Sequence, residues 1–193
     1  TGPQGTTGNA GSIDDLSDGS TQGAPGNVFL GYNSGDAISS GGNNTAVGDE
    51  ALKNNDTGNN NTAVGQQSLL GNTRNDNTAI GVMSSNMNTI GIGNTAVGIA
   101  SLLTNMTGSY NTAVGFQSGA TNTGSYNVLL GHKAGYSEAA SDKLHIANTD
   151  SKTLIWGDFA DDSVKINGTL VATGNVGIGT LSPENKLHIK DGD

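Results

Sequence analysis

The sequence predicts an all-β protein: a homotrimeric parallel β-solenoid (a β-roll) of seven 16–17-residue coils, followed by short antiparallel β-strands. Three observations carry this expectation. A five-residue unit, Asn-Thr-Ala-Val/Ile-Gly, returns at a nearly constant short period. The composition is poor in apolar residues at 33% and in charged residues at 13%, so neither one large core nor a charge-swollen disordered chain explains it. A file of branched aliphatic residues also falls on the side of the repeat that a narrow coil cannot enclose.

The chain divides into three stretches. In residues 1–26, Gly2, Gly5, Gly8 and Gly11 fall every third residue, the spacing that three wound polyproline-like strands require at their crowded axis. Three triplets do not hold a triple helix alone, and a Gly-rich linker explains the same spacing. This stretch is read as a collagen-like stalk and connector.

Residues 27–136 hold the repeat. Its leading asparagines are Asn27, Asn44, Asn61, Asn77, Asn94, Asn111 and Asn127, at steps of 17, 17, 16, 17, 17 and 16 residues. A fixed short period over so many copies denotes stacked coils, each burying its apolar side only against its neighbours. Five copies are complete, and Asn27–Gly31 and Asn127–Gly131 are degenerate ones. The β-branched centre between Asn and Gly reads as a short strand between turns. A small residue follows three positions after each Gly: Ser34, Ala51, Ser68, Ser84, Ser101, Ser118 and Ala134. Leu52, Leu69 and Leu102 come next, and then a turn such as Asn55-Asp-Thr-Gly58. Each coil is therefore expected to be a strand, a tight Gly turn, a second short strand and a longer loop. Stacked at about 4.8 Å, seven coils make a rod segment of roughly 30 Å.

Side chains alternate along a strand. Ala46, Ala63, Ala79, Ala96 and Ala113 share a face with the Asn and Gly positions and are small enough for a coil interior. The asparagines are expected to form amide ladders between copies. Val47, Val64, Ile80, Val97 and Val114 then point outward, as a stripe that water does not favour, and three copies packed on one axis would cover it. The other assignment encloses these side chains within a single chain and turns the alanines out.

Residues 137–193 lose the period. Lys143–Ala147, Thr153–Phe159, Val164–Val171, Asn175–Thr180 and Lys186–Lys190 alternate apolar and polar residues between Gly turns and read as short antiparallel strands. The only stretch considered for a helix is Ser137–Ser141.

The coils resemble the head repeats of trimeric autotransporter adhesins, and the stretch from Thr173 to Ile189 is similar to a segment of phage tail fibres and related bacterial surface fibres. The resemblance covers about residues 27–190. It implies a trimeric fibre with residues 137–193 leading to a missing C-terminal tip or chaperone. It also implies a structural and adhesive role outside the cell, on a cell surface or a virion tail, that projects or forms a receptor- or glycan-binding surface. The expected partners are two further copies of the chain and a cell-surface glycan or protein receptor.

The remaining signals are few. The net charge of −9 disfavours a phosphate backbone as partner. No apolar run of about 18 residues suggests membrane insertion. The absence of cysteine removes disulfides and thiolate metal sites. Neither cofactor nor metal is expected. His145 and His188 occupy equivalent places in two similar strands, which repetition explains better than ligation. Asp158, Asp161 and Asp162 beside Trp156 raise a tail-spike-type polysaccharide-degrading enzyme as an alternative, because paired carboxylates hydrolyse glycosides; a polar loop is the simpler account. Thr45, Thr62, Thr78, Thr95 and Thr112 raise an ice-binding solenoid as a third reading. The candidate ligand contacts are Tyr110 and Tyr126, each just before a repeat Asn in adjacent coils, and Trp156, the single tryptophan. Two stacked tyrosines would suit a sugar ring or a protein, although packing between chains accounts for all three aromatics more simply.

Overall fold

The computed structural model describes residues 26–174, 176–178 and 187–189. The Gly triplets of residues 1–26 lie outside the described residues, except for Gly26 itself. Among the described residues there is no helix, and the Ser137–Ser141 stretch is turn and bend.

Seven three-residue strands mark the coils: β1 (Val28–Leu30), β2 (Thr45–Val47), β3 (Thr62–Val64), β4 (Thr78–Ile80), β5 (Thr95–Val97), β6 (Thr112–Val114) and β7 (Val128–Leu130). They stack in parallel and in chain order, so that each strand meets its own equivalent: Thr45 with Thr62, Ala46 with Ala63, Val47 with Val64. Coils one to seven are numbered from their leading asparagines. The result is a parallel β-solenoid of about seven turns.

The expected second strand of each coil is absent. After Gly48, coil two runs through tight turns, with Ala51, Lys53 and Asn55 donating backbone hydrogen bonds to Gly48, Glu50 and Leu52. The cause is backbone conformation: Glu50 and Leu52 have φ of 57° and 52°, and their equivalents Gln67 and Leu69 have 57° and 50°. Alternate left-handed residues curl the chain instead of pleating it. The turns still join neighbouring coils, through Glu50 N–H to Tyr32 O at 2.8 Å and Leu52 N–H to Ser68 O at 3.0 Å. Gly48 itself requires glycine, because its φ is 133° and a Cβ there would sit 2.7 Å from the carbonyl of Gly65 in the coil above.

The interior is narrow and closes within each coil. Ala46, Ala63, Ala79, Ala96 and Ala113 have no solvent exposure, and neither do Leu52, Leu69 and Leu102. The small register from Ser34 to Ala134 is buried throughout. The leading asparagines join backbone to side chain: Asn44, Asn61, Asn77, Asn94, Asn111 and Asn127 each donate their backbone N–H to the Oδ1 of the preceding file member at 2.9–3.0 Å. Their Nδ2 groups donate to carbonyls in the coil's last turn, such as Gly58 and Gly108. Direct amide-to-amide bonds of 3.1–3.3 Å link the file at the four 17-residue steps. At the two 16-residue steps, Asn77 and Asn127 turn Nδ2 to Asn72 and Asn122 instead, five residues back. One residue fewer in the turn brings that acceptor within reach.

The ladder runs on past residue 136. Strand β8 (Lys143–Thr149) pairs in parallel with β7, matching Val128 to Leu144 and Leu130 to Ile146, and Lys143 donates its N–H to Asn127 Oδ1 at 2.8 Å, as a leading residue would. The sheet then reverses. β9 (Lys152–Asp158) pairs antiparallel with β8, and β10 (Ser163–Ile166) pairs antiparallel with β9. A separate pair, β11 (Val176–Ile178) and β12 (Leu187–Ile189), is parallel rather than antiparallel. Eight residues separate these two strands, more than a hairpin turn of two to five needs, and the second returns in the direction of the first.

Candidate functional surface

With alanine inside, the flanking residues of every three-residue strand look outward. Val47, Val64 and Val97 are half-buried, and Ile80 and Val114 are about 40% exposed. The arrangement that encloses these side chains is not the one this chain adopts. The threonines form a second file beside them, in register from Thr45 to Thr112. The outer surface of the sheet is thus two parallel ranks, Thr and Val, on a backbone whose hydrogen bonds are already made.

Sequence reasoning missed a third rank. The residue after each strand's Gly is Tyr32, Asp49, Gln66, Val82, Ile99, Phe116 and His132 in successive coils. It is polar in coils two and three, where Gln66 donates to Asp49 at 3.3 Å. In coils four to six it is apolar, with Val82, Ile99 and Phe116 between 38% and 51% exposed. Phe116 and His132 stack with centroids 5.5 Å apart. The same 17-residue spacing would have revealed this column. It would also have revealed a second buried asparagine file, Asn55, Asn72, Asn88, Asn105 and Asn122, which the sequence presents only as turn residues.

Tyr110 and Tyr126 do stack, with centroids 5.2 Å apart and planes 16° from parallel. The column they belong to begins with hydrogen-bonded polar side chains, Asn43, Asn60 and Asp76, and then passes through Gly93. Tyr110 lies over Gly93 so closely that a Cβ there would meet its Cδ1 at 2.7 Å. Tyr126 thus stacks on one face of Tyr110 and Gly93 lies under the other, while Tyr110 remains 49% and Tyr126 55% exposed to a ligand.

Trp156 is half-buried at the centre of β9, opposite His145 on β8 and Lys165 on β10. His145 in turn pairs with Leu129 of β7, which is wholly buried, so this side of the reversed strands covers the end of the coil interior. His145 is held there by Glu138 at 2.8 Å and by Thr153 at 3.3 Å. Asp158 faces Lys143 and also accepts the Ala160 N–H, and the Lys143 hydrogen bond is the main reason its carboxyl lies below the ordinary value. A glycosidase general acid needs the opposite shift. The hairpin between β8 and β9 also borders an open cleft of about 820 Å³, lined by Ile146, Ala147 and Leu154 together with polar residues from Asn148 to Thr153 and Asn167. Nothing in the sequence announces it, because its residues converge only through the hairpin.

No protein-family model matches the chain, and neither a curated protein nor a solved structure matches it significantly. Among the described residues no helix is long and apolar enough to cross a membrane.

Proposed function

We propose that this chain is a structural and adhesive segment of an extracellular homotrimeric fibre, a surface adhesin or tail fibre that projects or forms a receptor-binding surface. The observation that supports this most is the outward rank Val47, Val64, Ile80, Val97 and Val114. It lies on a rod whose interior is already filled by Ala, Leu and Asn, and none of the described residues covers it, which leaves it open to other chains. Fully burying an exposed valine or isoleucine contributes about 1.5–3 kcal/mol; these five are half-buried or about 40% exposed already, so each adds a fraction of that, summed over five side chains in each of three copies. The mixed polar and apolar cleft beside Leu154 and the exposed tyrosines are the surfaces left for a glycan or protein receptor. Light scattering is expected to return three times the 19.3 kDa chain mass, and a glycan array to show binding without turnover. Val97→Asp would place a charge in the shared seam and is expected to abolish assembly. A soluble trimeric Val97→Asp protein would refute the seam.

One observation favours a second reading. The Thr and Val ranks run in register along a single face, a broader array than one threonine per coil suggests, and an ice-binding role would use that face directly. Thermal hysteresis of the purified chain separates the two, since a trimer that buries this face has none to offer ice.

A further inference from the structure

The sheet face that carries the Thr and Val ranks does not end with the coils. Through the β7–β8 register, Val128 and Leu130 pass into Leu144 and Ile146. Through the antiparallel pairs, Leu144 lies opposite Gly157 and Val164, and Ile146 opposite Ile155 and Ile166. Leu144 packs over Gly157, where a Cβ would stand 3.1 Å from the Leu144 Cβ, which fixes the side of the ribbon that these residues occupy. The rows Leu144–Gly157–Val164 and Ile146–Ile155–Ile166 hold no polar side chain. The alternate rows carry the charged residues of the paired segment, Lys143, Asp158 and Lys165. Coils two to six each offer the outside one threonine and one aliphatic residue, whereas β7, β8 and β10 each offer two aliphatic ones.

We infer that this aliphatic ribbon face is where copies of the chain first dock on one another, and that it forms the strongest part of their seam. The inference rests on the trimeric reading and goes beyond it by naming the clamp. An exposed aliphatic patch of this kind is disfavoured in water and marks an interaction surface. Here Val164 is 68% and Ile166 39% exposed on the side away from the coil interior, with none of the described residues behind them. A copy related by an axis along the rod presents the same uncharged rows at the same height, so the surface complements itself. A charged partner would find no counter-ion there. The face is continuous with the outward Val rank.

The test uses the full chain. The double variant V164E/I166E changes two side chains that are already exposed in the single chain, so its far-UV circular dichroism is expected to match the parent while its mass falls from three chains to one. The control L170E/V171E alters residues 69% and 76% exposed beyond the paired rows and is expected to stay at three. Because the chain has no cysteine, V164C under mild oxidant is expected to give a covalent dimer at least tenfold faster than L170C, which decides the matter even if the glutamate variant misfolds. A trimeric V164E/I166E protein, or equal cross-linking rates for the two cysteine variants, overturns the ribbon clamp and leaves the fibre reading standing. A monomeric parent chain overturns both.

Discussion

Coil four and the coils on either side of it share a backbone but not an interior. Coils three and five bury Leu69 and Leu102 at the position where coil four has Ser85, although all three residues adopt the same left-handed φ, between 47° and 50°. The Ser85 hydroxyl is buried without a hydrogen-bond partner, as is Asn88 Oδ1 three residues on. The apolar interior splits here into two clusters, one reaching from Phe29 to Ala79 and the other from Ala96 to Ala147. The leading asparagine file does not split: Asn77 N–H reaches Asn61 Oδ1 and Asn94 N–H reaches Asn77 Oδ1, both at 3.0 Å. The period is therefore kept by hydrogen-bonded files, and the apolar filling can lapse for a coil without breaking the stack.

That contrast ranks the substitutions. Asn94→Ala would leave the Asn111 N–H buried without its acceptor, while the Gly108 carbonyl loses one of two donors and keeps Asn105 Nδ2. With about 1–3 kcal/mol for the orphaned N–H and about 0.5–1.5 kcal/mol for each further hydrogen bond lost along the file, the loss is expected to be about 3–5 kcal/mol in chemical denaturation. Leu102→Ser would copy coil four into coil five, and a cavity of that kind costs about 2–4 kcal/mol. If Leu102→Ser proved the more damaging of the two, the files would not be what keeps the period.

How far these features could be read beforehand follows the same line. The leading file was legible because Asn and Gly recur at fixed places and neither has a substitute there. The curled second half of each coil was not, since Ser-Leu-Leu spells a strand and nothing in a leucine announces a left-handed φ. The rung formed by β8 was hidden by Lys143, which keeps the backbone N–H of a leading residue but lacks the amide. The outward rank of Val47 and its equivalents was visible from alternation alone, whereas the Phe116–His132 stack and the cleft by Leu154 depend on which coils and strands become neighbours.

Ser85→Leu runs the comparison the other way. The backbone there already suits leucine, as Leu69 and Leu102 show, and the unpartnered hydroxyl would be removed. The substitution is expected to add about 1–2 kcal/mol and to join the two apolar clusters into one. A lower melting temperature for Ser85→Leu would mean that the chain has closed around serine and left no space, so that the interior of coil four is adapted to its polar residue instead of merely tolerating it.

The smallest expected effect separates the ribbon from the coils by pH. Asp158 and Lys143 hold the ends of β9 and β8 together, and their hydrogen bond lowers the Asp158 carboxyl from its ordinary 3.8 and raises the Lys143 ammonium from its ordinary 10.5. A carboxyl lowered in the folded state adds stability that is present above its ordinary value and is lost as pH falls through the lower folded one; the raised ammonium adds stability below 10.5 that is lost as pH rises through its folded value. Protection factors of the amide protons in β8 and β9 should therefore fall below about pH 3.8 and above about pH 10.5, while those of β2 to β6, which lie between uncharged strands, are kept. Asp158→Asn should speed ribbon exchange at neutral pH and remove its acid limb. If the acid limb survived in Asp158→Asn, a different carboxyl would be closing the ribbon, and the Glu138–His145 pair that covers the end of the coil interior is the neighbour to substitute next.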